Sequence, residues 1–449
     1  MNNAIKIALA GVLAAACGGG VSSKKEMTKM AADAPPPPSG GGEGAKINRS
    51  VSADAKKDFA QAVAFYKEQG KGGWNKSSCQ AAAAKFDQVA SSHDKMVEAI
   101  YNADLSYQNC GMMKDAESRY QDALKIHPGH GPSLSNLGQI YFLGGNEARA
   151  KQYWEKAVAA DKKVVGARNN LAWLMIRQVR EKKANLRDVE EQALTHLRSA
   201  LAVENDNIEA YVLLSLLYME GAEKNKARLT LAKLLLDEAK KRNDKYAPLH
   251  NAYGLLELKR ENVAQALEEF RQAVQLNPDF IEARMNVGNV VLGFRKYDEA
   301  AEQFNAVLKE KPKYYDAVLG LGVAQRGLKQ LDEAEKSYNR AAQLDSSRAD
   351  AYFNLGVLYK DFRANATENL KAAQEAYRTA IRYFNQARGK GTASAQMQSD
   401  AKDNISDCEK NIKSLDEAQR FQQQAPPPSP PAAPAKPAAP AKPAAGGGK

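Results

Sequence analysis

"YGLLELKRENVAQALEEFRQAVQLNP", Tyr253 to Pro278, sets a glycine inside an apolar stretch of helical spacing and closes a second helical stretch on a proline. A glycine in a helix interior costs about 0.5–1 kcal/mol relative to alanine, so packing has to hold Gly254 in place. Gly254, Gly288, Gly322 and Gly356 stand 34 residues apart. Behind the first three follow Ala266, Ala300 and Ala334, then Phe270, Phe304 and Tyr338, then Ala273, Val307 and Ala341, then Pro278, Pro312 and Ser346. Self-similarity at a fixed period of this length is the signature of a helical-repeat array.

The columns of aromatic, Leu-Gly, Tyr, Ala, Phe and closing Pro resemble the tetratricopeptide repeat. The register extends back through "LSNLGQIYF", with Gly138, Tyr141, Ala150, Trp154 and Ala157, and through "AIYNADLSY", where Asp104 replaces the glycine and a looser helix pair is expected. Repeats near 165–207, 208–246 and after Ala349 carry extra residues, in the last case before Ala373, Tyr377 and Ala380. With a degenerate first unit, the expectation is an all-α, right-handed superhelical solenoid of about nine helix pairs over 53–388. A polar capping helix is expected over 393–423. Each glycine is expected to admit the small alanine of the facing helix.

Both ends have a different composition. "MNNAIKIALAGVLAAAC" has one cation, Lys6, then an apolar run and small residues before Cys17. It is too short to span a bilayer and reads as an export signal. The layout resembles a bacterial lipoprotein signal over 1–16, which implies acylation of Cys17, and with Gly18 following, the outer membrane; an ordinary cleaved signal with an incidental cysteine is the alternative. Residues 17–52 form a Pro/Gly/Ser tether, whose flexible part would span roughly 30–35 Å. Residues 424–449 form a Pro/Ala/Lys-rich tail in which no core is possible. These ends also hold much of the charge. Six basic against three acidic residues in 1–52, and three lysines without an acid in 425–449, reduce the net +11 of the chain to +5 for the part between. Nucleic-acid binding, which needs clustered cations, is not indicated.

Catalytic templates are missing: there is no H-E-x-x-H, G-x-S-x-G or Walker sequence and no paired-cysteine zinc spacing. The reading is a non-enzyme without metal or cofactor, and "HPGHG" around His127 and His130 falls on a turn between repeats. Function then lies on the concave face lined by the first helices of each pair. Asn102, Asn136, Asn170, Asn286 and Asn354 share one groove-facing position and could read a peptide backbone with both amide groups. Phe142, Trp173, Ile176, Val212, Leu216, Met219, Leu255 and Leu258 make an apolar stripe on the same face, which either docks a partner segment or is buried by tight curvature. Cys79 and Cys110 fall on neighbouring antiparallel helices and are expected either as a disulfide or as two buried thiols, with Cys408 unpaired.

Taken over signal, tether, repeat array and tail, the chain resembles outer-membrane tetratricopeptide lipoproteins, and most of all the adventurous gliding motility lipoproteins of myxobacteria. That resemblance implies a periplasm-facing scaffold held to the membrane through Cys17, with proteins of a cell-envelope complex as partners. An assembly factor for a secretin, a pilus, an outer-membrane protein or a polysaccharide-export system is the alternative.

Overall fold

The computed structural model describes residues 51–424 apart from 72, 74, 94 and 95. The signal, Cys17, nearly all of the tether and the tail after 424 lie outside the described residues. Among the described residues there are nine helix pairs and one further long helix. The pairs are α1 (Ala53–Lys71) with α2 (Lys76–Ser92), α3 (Val97–Asn109) with α4 (Met113–Ile126), and α5 (Gly131–Leu143) with α6 (Glu147–Ala160). Then come α7 (Val165–Arg180) with α8 (Leu186–Val203), α9 (Ile208–Glu220) with α10 (Ala227–Arg242), and α11 (Ala247–Lys259) with α12 (Val263–Leu276). The last are α13 (Ile281–Gly293) with α14 (Tyr297–Glu310), α15 (Tyr315–Gly327) with α16 (Leu331–Leu344), and α17 (Ala349–Val357) with α18 (Leu370–Arg388), followed by α19 (Ala395–Gln424).

The hairpins have local causes. Asn75, Asn146 and Asn207 cap α2, α6 and α9 by accepting from the backbone N–H three residues on, which satisfies donors that the first helical turn leaves open. Between the first and second helix of seven pairs lies one left-handed residue: Gly73, Gly111, Gly145, Lys182, Glu261, Arg295 or Lys329. Glycine takes that conformation without strain; the four longer side chains hold it at a cost of roughly 1–2 kcal/mol each.

The chain divides into two compact units, one up to Ala351 and one from Tyr352. In the first, each helix pair packs on the next, and the rings of Tyr120, Trp154, Phe270, Phe304 and Tyr338 are almost wholly buried. These rings correct the expected role of the glycine. A Cβ on Gly288 would lie 2.8 Å from the Phe304 ring, and one on Gly322 would lie 2.6 Å from the Tyr338 ring. It is therefore the large ring, four residues beyond the small alanine, that occupies the space the glycine leaves. Where leucine takes the place of the ring the glycine is gone: pair four has Ala172 and Leu197, and pair five has Ser215 and Leu236, all buried. Pair two, where a looser helix pair was expected, has helices that meet at fewer points than those of the third to eighth pairs, and it buries Asp104 completely and bonds it to Arg119 at 2.8 Å.

In the second unit the first helix continues past Val357 through a π-helical segment, Leu358–Arg363, and a short 3-10 turn, Ala364–Ala366. Lengthening one arm of an antiparallel hairpin by a given amount lengthens the other equally. The residue over Gly356 is accordingly Phe384, whose ring lies 2.6 Å from where a Cβ would be, and not the expected Tyr377. Helix α19 covers α18 with Ala401, Ile405, Cys408, Ile412 and Leu415, and Cys408 is buried and unpaired.

Cys79 and Cys110 form a disulfide between α2 and the end of α3, with Cα atoms 6.3 Å apart and a sequence separation of 31. Closing a loop of that length is worth about 3–4 kcal/mol by chain entropy. A Cys17→Ser chain unfolded without reductant should show one reactive thiol, from Cys408, and three after reduction; Cys79→Ser should lower the unfolding free energy of the first two pairs by about that amount. Three reactive thiols before reduction would contradict the bridge.

Candidate partner-binding groove

The first helices of the pairs line the concave side, and how closely they meet decides what remains accessible. Helix α9 packs directly against α7 on one side and α11 on the other, whereas α5 and α7 touch at few points. The apolar stripe is therefore mostly a seam. Ile176, Val212, Met219, Leu255 and Leu258 are at most 4% exposed and belong to the hydrophobic core. This corrects the reading of those five as a docking surface: apolar side chains on three adjoining helices bury one another, which removes far more surface from water than an intermittent partner would.

What stays half-buried is Phe142 on α5, Trp173 on α7 and Leu216 on α9. The Phe142 and Trp173 rings meet edge to face with centroids 5.1 Å apart, and Phe142 also rests on the buried Trp154 at 5.9 Å. Arg177 spreads its guanidinium over both, 5.5 Å from Phe142 and 5.1 Å from Trp173. The same guanidinium pairs with Glu147 on α6 and with Glu181 at 3.0 Å. A planar cation on two rings, held by two carboxylates, fixes the aromatic pair in one geometry. Arg177 had no place in the sequence reading. Its signal was its spacing, one helical turn after Trp173.

The asparagine column is occupied internally. Asn136 donates to the hydroxyls of Tyr120 and Tyr101, at 2.7 and 3.2 Å. Asn286 is fully buried and donates to Asn251 of the preceding pair at 2.8 Å. Asn102 donates to the Glu98 carbonyl of its own helix at 2.7 Å, and Asn170 reaches Gln139 at 3.5 Å. Asn354 lies half-buried in the second unit, apart from these. Asn136, Asn170 and Asn286 thus tie neighbouring repeats together, and Asn286 is withdrawn from any groove; Asn102, Asn136 and Asn170 remain half-exposed in the first unit.

A second polar cluster escaped the sequence reading. Asn169 is 1% exposed and donates to Asn207 at 3.1 Å and to Glu209 at 2.9 Å. Burial pushes the Glu209 carboxyl up from its ordinary range, against the hydrogen bond from Asn169. At the other end, His130 bonds Ser133 at 2.8 Å and sits edge-on to Tyr101, and burial lowers its pKa to about 4. That turn is more enclosed than "HPGHG" suggested. Among the described residues no three potential metal ligands stand together, and no helix is long and apolar enough to cross a membrane.

Tetratricopeptide-repeat family models match residues 132–164 and 288–349. A human protein, the O-mannosyl-transferase TMTC1, is 30% identical over 195 residues, which are 43% of this chain and 20% of that one. The chain thus spans a fifth of the length of that curated relative. Among solved structures, a monomeric mutant of IFIT1 bound to m7Gppp-AAAA is similar with a TM-score of 0.50 at 16% identity, over 69% of this chain and 76% of that one. The tetratricopeptide protein TTC0263 of Thermus thermophilus is 24% identical, over 44% of this chain and 99% of that one, with a TM-score of 0.38. The hairpins within 132–164 and 288–349 match tetratricopeptide repeats, and the fold of stacked helix pairs is that of a helical-repeat solenoid.

Proposed function

We propose that the chain is a non-catalytic scaffold whose concave face, at the third and fourth helix pairs, binds a segment of a partner protein. The observation that carries this is the Phe142–Trp173 pair. Among the described residues of the stripe, it is the aromatic surface that the seam leaves half-open, and Arg177 holds it rigid. Rigid aromatic anchors are the residues that dominate protein interfaces. Asn102, Asn136 and Asn170 are half-exposed on first helices of the second to fourth pairs and carry amide oxygens able to accept from an extended backbone.

The place of action is read from the ends and from the disulfide. A bond between Cys79 and Cys110 fits an oxidising compartment better than a cytosol, and the N-terminal sequence fits export followed by acylation of Cys17. On this reading the protein is an outer-membrane lipoprotein facing the periplasm, and its partners belong to an envelope-spanning complex, with gliding motility machinery as the proposed case.

Fractionation and crosslinking of the full chain in its native envelope test both parts. The unaltered protein should sediment with outer membrane, and Cys17→Ala should release it or leave an uncleaved precursor. Trp173→Ala should weaken partner capture by about 2 kcal/mol with unchanged helical circular dichroism. Ile176→Ala, one turn away in the seam, should instead lower stability by about 2–5 kcal/mol. Full partner capture by Trp173→Ala would move the interface elsewhere, and a soluble, unlipidated native protein would defeat the anchor.

A further inference from the structure

Asp104 stands on α3 where the third, sixth, seventh, eighth and ninth pairs carry glycine, and it is fully buried. Its Oδ1 accepts from Arg119 Nε at 2.8 Å, while its Oδ2 has no hydrogen-bond partner. The Nη2 of the same arginine donates to Asp87 on α2, and its guanidinium lies over the Tyr107 ring at 5.1 Å. One cation therefore bridges the first helix pair to the second, shared between a carboxyl in the dry interior and one whose side chain is 42% exposed.

We propose that proton uptake by Asp104 works as a latch on the first helix pair: the neutral acid leaves Arg119 to Asp87 and clamps the pair down, and the ionised carboxylate competes for Arg119 and loosens it. The proton comes from solvent and sits on the oxygen that has no donor. An unpartnered carboxylate oxygen in an apolar interior is costly, and protonation removes most of that cost. The other groups facing the carboxyl do not compensate its charge. Asp87 on α2 and Asp122 on α4 are acidic, and Tyr101 on its own helix and Tyr120 on α4 are neutral phenols, raised further by burial. Tyr66 on α1 faces Tyr120, and His130 behind Tyr101 is held neutral by its own burial. Burial pushes the Asp104 carboxyl up to about 7, with Arg119 opposing and Asp87 and Asp122 adding.

This sets the direction with pH. A carboxyl whose folded pKa lies above its unfolded value, about 3.9, contributes most below the unfolded value. That contribution is lost as pH rises to the folded pKa and stays lost above it. Acid tightens the first two pairs through this group.

Hydrogen exchange of the full, disulfide-bonded chain, read by mass spectrometry from pH 5 to pH 8.5 and corrected for intrinsic rates, tests the latch on α1 to α4. Opening of these helices should rise by about tenfold or more across that range. Asp104→Asn, and Asp104→Gly as a second variant that carries the residue of the other pairs, should abolish the rise. Asp87→Asn should shift it to lower pH, because it removes a neighbouring negative charge and frees Arg119. An equal rise in Asp104→Asn or Asp104→Gly and in the unaltered chain, or tighter helices at high pH, would overturn the proposal.

Discussion

A large ring lying over a residue without a side chain is the contact on which the repeats depend. In an antiparallel helix pair the two axes approach only as far as the side chains between them permit. Gly288 under Phe304 and Gly322 under Tyr338 give the ring a floor of bare backbone. The ring then gains dispersion contacts along its whole face, and those contacts outweigh the helix penalty of glycine. Two of the exceptions obey the same rule of size: Ala172 and Ser215 replace glycine in the two pairs where leucine replaces the ring, whereas pair two keeps the ring, Tyr120, and carries Asp104.

That spacing governs the turns and the stacking as well. A fixed crossing of the two helices fixes the turn between them, which is why a left-handed residue recurs there even as Glu261, Arg295 and Lys329. It also fixes where the next pair must stack. At α7, α9 and α11 the stacking brings the first helices into contact and seals most of the apolar stripe, leaving Phe142 and Trp173 as the accessible remainder. The first pair has no preceding neighbour among the described residues to stack on, and it is held by different means: the Cys79–Cys110 bond and the Asp87–Arg119–Asp104 bridge.

The repeat was legible in the sequence because each small or aromatic column returns at a constant spacing, and Cys79 and Cys110 were legible as neighbours because the hairpin register placed them on adjoining helices. Phe384 was not, because the extra residues that lengthen α17 also displace the ring on α18, and only the hairpin geometry couples the two. The burial of Ile176, Val212 and Leu258 depends on the angle between successive pairs, which no local pattern states. Asn136 and Asn286 looked like groove residues because their position faces the concave side; their amides turn instead to Tyr120 and Asn251 of adjoining repeats. Arg177 and Asn169 carried no motif, and their roles arise only when α6, α7 and the Asn207–Glu209 turn are brought together.

The most direct test is a double-mutant cycle on Gly288 and Phe304, read as unfolding free energy in denaturant. Gly288→Ala alone should destabilise by about 1–3 kcal/mol, since its Cβ would fall 2.8 Å from the ring and overpacking of that kind costs such an amount. In the Phe304→Leu background the same Gly288→Ala change should be neutral or stabilising by up to about 1 kcal/mol, the ordinary gain of alanine over glycine in a helix. Equal costs in both backgrounds would mean that the ring does not require the glycine, and the account of how these helix pairs are built would be wrong.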